Sequence, residues 1–268
     1  MKKENAYTYV TLLSSDDFLT GVVMLNWSLK RVKSAYPLLV LCSKSVSKNS
    51  LIFLRKRHLD CSVLEEGIVV DTSEVNTNEG YGHWNNTFDK LYVWSLTQYK
   101  KVVFLDSDMH VIKNIDYLFD CPHMSAVRAD QWNEPGLEKL NSGLMVIEPN
   151  MEEFRGLKKL WESGEIKLKN VGDQDVIRAY YKDWGRKPEL TLSPGLNVLY
   201  SEVTHGVINE KQVTPVSVIH YIGSTKPWMV SPRAIWRRSR NNFLGRNLLQ
   251  YAFSMYCRFP LLLVKRNG

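Results

Sequence analysis

The sequence lacks the features that are typical of secreted proteins, of membrane-spanning proteins and of proteins with a glycine-rich nucleotide-binding loop. Its four cysteines are scattered, without a CxxC pair or zinc-type spacing, so we expect free thiols. No apolar run approaches the roughly 20 residues of a membrane span. The amino end lacks a long hydrophobic stretch with a cleavage site, so we predict no signal peptide and a cytoplasmic protein. GxxxxGK[ST] and GxGxxG are also missing, which argues against P-loop and Rossmann dinucleotide sites.

Positive charge exceeds negative charge only at the carboxyl end. The net charge is +7, yet eight basic and no acidic residues lie after position 232, so residues 1–232 have 35 − 8 = 27 basic against 28 acidic residues. We therefore expect no nucleic-acid binding and divide the chain into a domain, 1–232, and a basic tail, 233–268. The tail alternates arginines with aromatic residues, which suits peripheral binding to the anionic cytoplasmic face of a membrane. A helix packed on the domain with solvated arginines is the alternative.

Between these ends, short apolar runs alternate with segments of helical periodicity. This alternation predicts an α/β fold with a largely parallel sheet that is covered on both faces. In such sheets ligands bind beyond the carboxyl ends of the strands. Predicted strands lie at Tyr7–Leu13, Leu38–Cys42, Ser62–Leu64 and from Lys101, and predicted helices at Phe18–Lys33, Leu51–Arg57 and Phe88–Tyr99, with a loop at Asp71–His83.

Two carboxylates end the apolar run that begins at Lys101. Asp106 and Asp108 are separated only by Ser107. Asp is a common turn residue, so the pair can simply mark the point where the strand reaches water. The alternative is a site for a divalent cation such as Mg²⁺ or Mn²⁺, because alternate carboxylates can converge on a hard ion that also holds phosphates.

Three further motifs are candidates for binding a polar substrate. Asn141–Ser142–Gly143 precedes an apolar segment and is either a turn or a hydrogen-bonding edge for sugar hydroxyls. Asp173 and Gln174 begin a predicted helix, where Asp173 is either a first-turn carboxylate or a substrate ligand. His220 ends a predicted strand and is either merely exposed or a metal ligand.

The motifs occur in an order that resembles glycosyltransferase family 8, especially its glycogenin-like members, and also galactinol synthase-type members. The resemblance covers most of residues 7–228. It rests on Lys90 with WSLTQY, on FLDSD, NIDYLFD, NSG and GDQD, and on HYIGSTKPW, His220–Trp228.

The resemblance implies a single GT-A-type domain, with a mostly parallel central sheet, helices on both faces and a C-terminal helical basic tail. It implies a retaining hexosyltransferase that uses Mn²⁺, with Mg²⁺ as the alternative, and UDP-glucose or UDP-galactose. The acceptor would be a glycan or another hydroxyl compound, such as a protein, a lipid-linked glycan or a polyol. A homodimer is a further expectation.

The same resemblance assigns roles by position. The metal ligands would be Asp106, Asp108 and His220. The residues assigned to catalysis and sugar orientation are Asp173, Gln174 and Lys90. Those assigned to the nucleotide sugar are Leu12, Ser14, Ser15, Phe18, Asp106, Ser107, Asn141, Ser142, Gly223 and Lys226.

The sequence departs from the glycogenin pattern at two places. Tyr81 lies near the position of an arginine that aids donor binding, and Val203 near the tyrosine that glycogenin glucosylates, with Tyr200 three residues earlier. The first difference leaves open a family member that binds a nucleotide sugar without turnover. A nucleotidyltransferase is disfavoured, because LLSSDDF after the first strand is neither Gly-rich nor basic.

Overall fold

The computed structural model of the protein describes residues 6–67, 82–129, 139–163, 166, 172–201, 213, 215–223, 226–229 and 247. The Cα atoms form two compact units, each assembled from three segments of the chain. The first unit consists of Met1–Asp16, Ala35–Asp106 and Asp116–Leu192, and the second of Asp17–Ser34, Ser107–Ile115 and Ser193–Gly268.

The structure contains strands, α-helices and short 3₁₀ segments. The strands are β1 (Tyr7–Leu13), β2 (Leu38–Cys42), β3 (Asp60–Val63), β4 (Lys101–Leu105), β5 (Met109–Val111), β6 (Ala126–Arg128), β7 (Leu140–Ile147), β8 (Thr191–Leu192), β9 (Val198–Leu199) and β10 (Val218–His220). The α-helices are α1 (Leu19–Arg31), α2 (Lys48–Lys56), α3 (Met151–Glu162) and α4 (Asp173–Tyr180). The 3₁₀ segments are Asp16–Phe18, Gly82–Ser95, Asp116–Asp120, Trp184–Arg186, Pro188–Leu190, Pro194–Leu196 and Pro227–Met229.

The first unit is built on a seven-stranded sheet in the order β3-β2-β1-β4-β7-β6-β8. Strands β3, β2, β1 and β4 run parallel, β7 is antiparallel to both β4 and β6, and β8 is parallel to β6. All five residues of β4 are buried, as expected for a β-branched apolar run in the middle of a sheet. Because β1 and β4 are parallel neighbours, their carboxyl ends, at Leu13 and Leu105, lie at the same edge.

These elements confirm the predicted mostly parallel sheet with helices, and β1 and β2 have the predicted bounds. One prediction was wrong in detail. The segment predicted as a helix over Phe88–Tyr99 belongs to a 3₁₀ segment that ends at Ser95. Of the two interpretations of Asn141–Ser142–Gly143, the turn is excluded, because the motif lies inside β7. Antiparallel pairing of β7 with β4 continues through Leu144, opposite Leu105, which extends the strand up to the polar motif.

The second unit contains a three-stranded sheet in the order β5-β10-β9. The central strand β10 is antiparallel to β5 and parallel to β9, so His220 lies opposite Met109 and Leu199. Helix α1 is fastened to β5 by the Ser28 hydroxyl, which accepts a hydrogen bond from the Val111 N–H at 3.2 Å. This arrangement places the residue that ends β10 beside the segment that follows Asp106.

Several predictions concern residues outside the described part of the chain. The boundary at position 232 and the tail lie there, apart from Asn247, as do Tyr81, Val203 and most of the loop predicted at Asp71–His83. Of the cysteines that the structure describes, Cys42 is a buried free thiol, and Cys61 and Cys121 are half-buried free thiols. Within the described residues, no helix combines the length and the apolar character needed to cross a membrane.

Candidate active site

The first unit holds a buried ammonium between two carboxylates. The Lys90 Nζ lies 2.6 Å from the Asp173 Oδ2 and 3.0 Å from the Asp106 Oδ1. It also donates to the Ser142 hydroxyl at 3.3 Å, and that hydroxyl donates to the Asp173 Oδ2 at 3.1 Å. We call Lys90, Asp106, Ser142 and Asp173 the lysine cluster. It gathers predicted site residues from four separate sequence motifs.

Main-chain contacts fix the members of the lysine cluster. Asp173 is the first residue of α4, and the Asp175 carboxylate accepts the Gly172 N–H at 3.0 Å, which closes the start of that helix. The Gln174 Oε1 accepts the Ser142 N–H at 2.9 Å and so ties α4 to β7. The Asp106 N–H donates to the Gly143 carbonyl at 2.9 Å. These bonds set the end of β4, the middle of β7 and the start of α4 in a fixed relation.

Charge pairing outweighs burial at Lys90. Burial alone lowers the pKa of an ammonium group, but Asp106 and Asp173 outweigh it and raise the pKa of Lys90 above its ordinary value. The Lys90 Nζ also lies 5.0 Å from the centre of the Phe104 ring, within the range of a cation–π contact. Lys90 is therefore a permanent cation, and it lies within 3.0 Å of a carboxylate oxygen of both Asp106 and Asp173.

The second unit holds a buried carboxylate between an imidazole and an ammonium. The Asp108 Oδ1 lies 3.0 Å from the His220 Nε2, and its Oδ2 lies 2.5 Å from the Lys226 Nζ. The other ring nitrogen of His220 lies 2.9 Å from the Asn197 Oδ1. We call Asp108, Asn197, His220 and Lys226 the Asp108 cluster. All four side chains are buried.

The backbone after β10 brings Lys226 back to Asp108. The Tyr221 N–H donates to the Asp108 carbonyl at 3.1 Å, and the Lys226 Nζ donates to the Tyr221 carbonyl at 3.0 Å. Between them Gly223 adopts a φ of +94°, a left-handed conformation that favours glycine. The turn therefore depends on this glycine, which was predicted as a diphosphate-binding residue.

Aromatic side chains cover the other side of Lys226. Its Nζ lies 5.8 Å from the centre of the Phe18 ring, and Phe18 meets Trp228 edge-on at 6.3 Å between ring centres. The Trp228 indole N–H donates to the Asp17 carbonyl at 3.0 Å. Phe18, predicted as a nucleotide-binding residue, thus lies beside the cation that was predicted to bind the diphosphate.

Asp108 remains ionised despite its burial. Burial raises the pKa of a carboxyl group, but the facing His220 and Lys226 outweigh that effect and hold the pKa of Asp108 well below its ordinary value. An ionised carboxylate beside an imidazole is a donor set that suits Mn²⁺, and Mg²⁺ less well, because Mg²⁺ prefers oxygen ligands alone. Asp106, Asp108 and His220 are identified in the described part of the chain as a group that could hold a metal ion.

The remaining predicted residues lie at the ends of these elements. Leu12 is buried near the end of β1, Ser14 and Ser15 follow it half-buried, and Ser107 is buried between the two aspartates. The Asn141 Oδ1 accepts the Gly143 N–H at 2.9 Å.

Sequence reasoning missed Asn197 altogether. It stands in the stretch Pro194–Leu199, where an asparagine two residues after Pro-Gly is typical of an ordinary turn. No local signal shows that its side chain meets a histidine 23 positions later.

Comparison with known proteins identifies sequence relatives over most of the chain. The family model described as "Glycosyl transferase family 8" matches residues 9–230. Glycogenin-1 of Homo sapiens is 30% identical over 228 residues, which cover 82% of this chain and 61% of the relative. A protein named "Putative UDP-glucuronate:xylan alpha-glucuronosyltransferase 5", from Arabidopsis thaliana, is 33% identical over 225 residues, which cover 82% of this chain and 36% of the relative. The chain thus spans less than two thirds of the length of both relatives.

Solved structures share the fold at low sequence identity. The galactosyltransferase LgtC, in a crystal structure with donor and acceptor sugar analogs, has a TM-score of 0.64 at 15% identity and covers 92% of this chain and 96% of its own. The glycosyltransferase GlyE of Streptococcus pneumoniae TIGR4, in its apo form, has a TM-score of 0.62 at 17% identity, covering 97% of this chain and 63% of its own. These likenesses confirm the predicted GT-A-type fold.

Proposed function

The chain belongs to glycosyltransferase family 8, and on that premise we propose that it transfers a hexose, with retention, from a UDP-sugar to a hydroxyl acceptor in a reaction that depends on a divalent cation. The observation that carries the proposal is the 3.0 Å contact between the Asp108 carboxylate and the His220 ring. Asp108 stands two residues after Asp106 in the sequence. Two carboxylates and an imidazole fit Mn²⁺ by the chemistry of the donor set. We assign Asp106, Asp108 and His220 as its ligands.

A bound divalent cation supplies electrostatic stabilisation for the negative charge that develops on the leaving diphosphate. We assign Lys226 to the same charge, because its ammonium already lies among carboxylate and carbonyl oxygens in a buried setting. Preorganised charges of this kind need no rearrangement as the bond to the sugar breaks. Gly223 would give the diphosphate close access to the backbone, since among the described residues, apart from Gly223 and its chain neighbours, no atom lies within 4 Å of the position of a Cβ there.

We assign Asp173, Gln174 and Ser142 to the sugar. Asp173 is held by Lys90 at 2.6 Å and by the Ser142 hydroxyl, which lowers its reactivity as a nucleophile towards the anomeric carbon. This argues for an orienting role and against a covalent intermediate on Asp173. Lys90 holds that carboxylate in place, so we assign it an electrostatic contribution to transfer.

Two classes of donor are candidates. UDP-glucose and UDP-galactose are the donors expected from the glycogenin-like motifs. UDP-glucuronate is the second candidate, and the specific observation in its favour is the 33% identity to a relative that is named a glucuronosyltransferase. The acceptor would be a glycan, a protein, a lipid-linked glycan or a polyol. The competing function is a family member that binds a nucleotide sugar without turnover.

The test is UDP release from a panel of UDP-glucose, UDP-galactose and UDP-glucuronate, with Mn²⁺ or with EDTA and without an added acceptor. Slow hydrolysis of one donor that requires Mn²⁺ is the expected result, and it names the sugar. In Asp108→Asn, which loses an anionic ligand, the rate should fall at least about 100-fold, as is typical when one strong electrostatic contact to the reacting charge is removed. Asp183→Asn is the matched control, because Asp183 is exposed and pairs only locally with Arg186.

Hydrolysis that persists in EDTA, or an Asp108→Asn variant with the wild-type rate, would overturn the metal assignment. Metal-dependent UDP binding without release from any donor would instead favour the binding-only function.

A further inference from the structure

Asn197 is a fully buried polar residue, with none of its surface exposed. It lies between the 3₁₀ segment Pro194–Leu196 and β9, and its N–H donates to the Pro194 carbonyl at 3.1 Å. Burying a side-chain amide costs free energy unless its polar atoms are hydrogen-bonded. An apolar residue would occupy this position at a lower cost in desolvation free energy, so the buried amide calls for a structural or functional explanation.

The amide oxygen of Asn197 meets one ring nitrogen of a proposed metal ligand. The Asn197 Oδ1 lies 2.9 Å from the His220 Nδ1, and the opposite ring nitrogen, Nε2, faces the Asp108 Oδ1 at 3.0 Å. A carbonyl oxygen can only accept, so the Nδ1 carries the proton of this bond. Nε2, which faces the Asp108 carboxylate, is then the ring nitrogen available to a cation that binds there.

The backbone around Asn197 is tightly packed and restrains the hydrogen bond between Asn197 and His220. Strand β9 begins at the next residue and runs parallel to β10, with Leu199 opposite His220. Gly195 is packed so closely that a Cβ there would lie within 2.1 Å of the Pro215 carbonyl oxygen. The Ser217 N–H donates to the Gly195 carbonyl at 2.7 Å. Both sides of the Asn197–His220 bond are therefore anchored to the same small sheet.

We propose that Asn197 is a positioning residue that fixes the ring orientation and the protonated nitrogen of His220, so that Nε2 is preset for the divalent cation. The inference rests on the metal site of the proposed function. Metal-binding histidines commonly donate their second ring N–H to an oxygen acceptor, which sets the tautomer and increases the basicity of the ligating nitrogen. The Asn197 carbonyl is such an acceptor, and its complete burial shields the bond from competing water.

The experiment is a titration of the metal-free protein with Mn²⁺, in which electron paramagnetic resonance counts the free ion. Asn197→Leu keeps the approximate volume and removes the acceptor, so we expect the Kd for Mn²⁺ to rise about 10- to 100-fold. Asn197→Asp keeps an acceptor oxygen, and its affinity should stay close to that of the wild type. Asn114→Leu is the control in the same unit, because Asn114 is exposed and its amide nitrogen donates to helix-end carbonyls, at Val32 and Lys33.

A second measurement reads the protonation of His220 in the wild-type protein and uses a variant only to assign the signal. In a two-bond ¹H–¹⁵N spectrum of the wild-type protein labelled at histidine, with the signal assigned through His220→Gln, the Nδ1 of His220 should be protonated. A bare Nδ1 would overturn the proposal. An Asn197→Leu variant that binds Mn²⁺ as tightly as the wild type, or an Asn197→Asp variant that loses as much affinity as Asn197→Leu, would also overturn it. Wild-type protein that binds no Mn²⁺ would refute the underlying metal site instead.

Discussion

Substitution of Lys90 should lower the free energy of unfolding of the first unit. Its ammonium lies within 3.0 Å of both Asp106 and Asp173. Lys90→Met keeps the length of the side chain but leaves two largely buried carboxylates without a counter-charge. Breaking a buried ion pair in this way costs about 3 to 5 kcal/mol. Urea denaturation in EDTA should show that loss in the free energy of unfolding.

Lys158→Met is the matched control for that measurement. The Lys158 Nζ lies 3.7 Å from the Glu162 Oε1 on the exposed face of α3. An exposed pair one helical turn apart contributes only about 0.3 to 0.5 kcal/mol. Equal destabilisation by the two substitutions would show that the lysine cluster contributes no more than a surface pair.

At the residue scale, sequence reasoning could find the charged residues but not their partners. Asp106, Asp108 and His220 stand at the ends of apolar runs, and the family pattern assigns them to a metal. The bond between Lys90 and Asp173 joins positions 83 residues apart, and Asn197 meets His220 across two strands. Such contacts depend on how strands pair, which no single segment specifies. For this reason the pattern predicts which residues form the site but not which charged groups they pair with.

At the scale of the elements, Gly21 lets helix α1 pack closely against the backbone at Ser107. It lies in α1, where a Cβ would come within 2.4 Å of the Ser107 carbonyl oxygen and 2.7 Å of the Trp228 ring. Alanine improves helix propensity by about 1 kcal/mol. The clash with a backbone carbonyl cannot be relieved by turning a side chain, and overpacking costs about 1 to 3 kcal/mol or more. We expect Gly21→Ala to lower the melting temperature and to weaken Mn²⁺ binding, because Ser107 separates the two aspartates.

Gly67→Ala provides the comparison, since a Cβ there would meet the Asp89 carboxylate at an ordinary 3.6 Å. Its melting temperature should be unchanged or slightly higher, because alanine reduces the conformational entropy of the unfolded chain. If Gly21→Ala were as stable as Gly67→Ala and bound Mn²⁺ normally, helix α1 would have no part in placing Ser107.

Among the elements, those whose sequence pattern is local were predicted best. Strand β2 is a continuous apolar run and β1 is a mostly apolar run that contains Thr8 and Thr11, and the bounds of both agree with the prediction. The segment before Ser95 has apolar residues at helical spacing, yet it forms a 3₁₀ segment. There Phe88 stacks on Trp161 of α3 at 4.0 Å between ring centres, and this tertiary packing outweighs helical propensity. The direction of β7 likewise depends on its partners β4 and β6, which lie outside its own segment.

At the scale of the whole molecule, ligand binding should be visible as a change in melting temperature. A ligand present at 100 times its Kd stabilises a folded protein by about 2.7 kcal/mol. For a chain of this size that corresponds to a rise of roughly 5 to 10 °C. We expect such a rise with UDP and Mn²⁺ together, and little with UDP and EDTA, in a thermal unfolding assay.

The thermal assay has two controls, one in the nucleotide and one in the chain. GDP with Mn²⁺ should stabilise the protein less than UDP with Mn²⁺, and Asp108→Asn should lose most of the effect of UDP. An equal rise in Asp108→Asn would show that the nucleotide binds without help from that carboxylate.

The distribution of the two units along the chain has a consequence for recombination with relatives. The chain passes from one unit to the other after Asp16, Ser34, Asp106, Ile115 and Leu192. A single crossover at any of these junctions gives a chimera in which at least one unit combines segments from two parents. After a crossover at Asp106, Asp106 comes from one parent and Asp108 from the other. Gene shuffling will therefore preserve whole units only when the exchanged blocks end at these junctions, so inheritance of donor specificity should follow blocks of residues rather than halves of the gene.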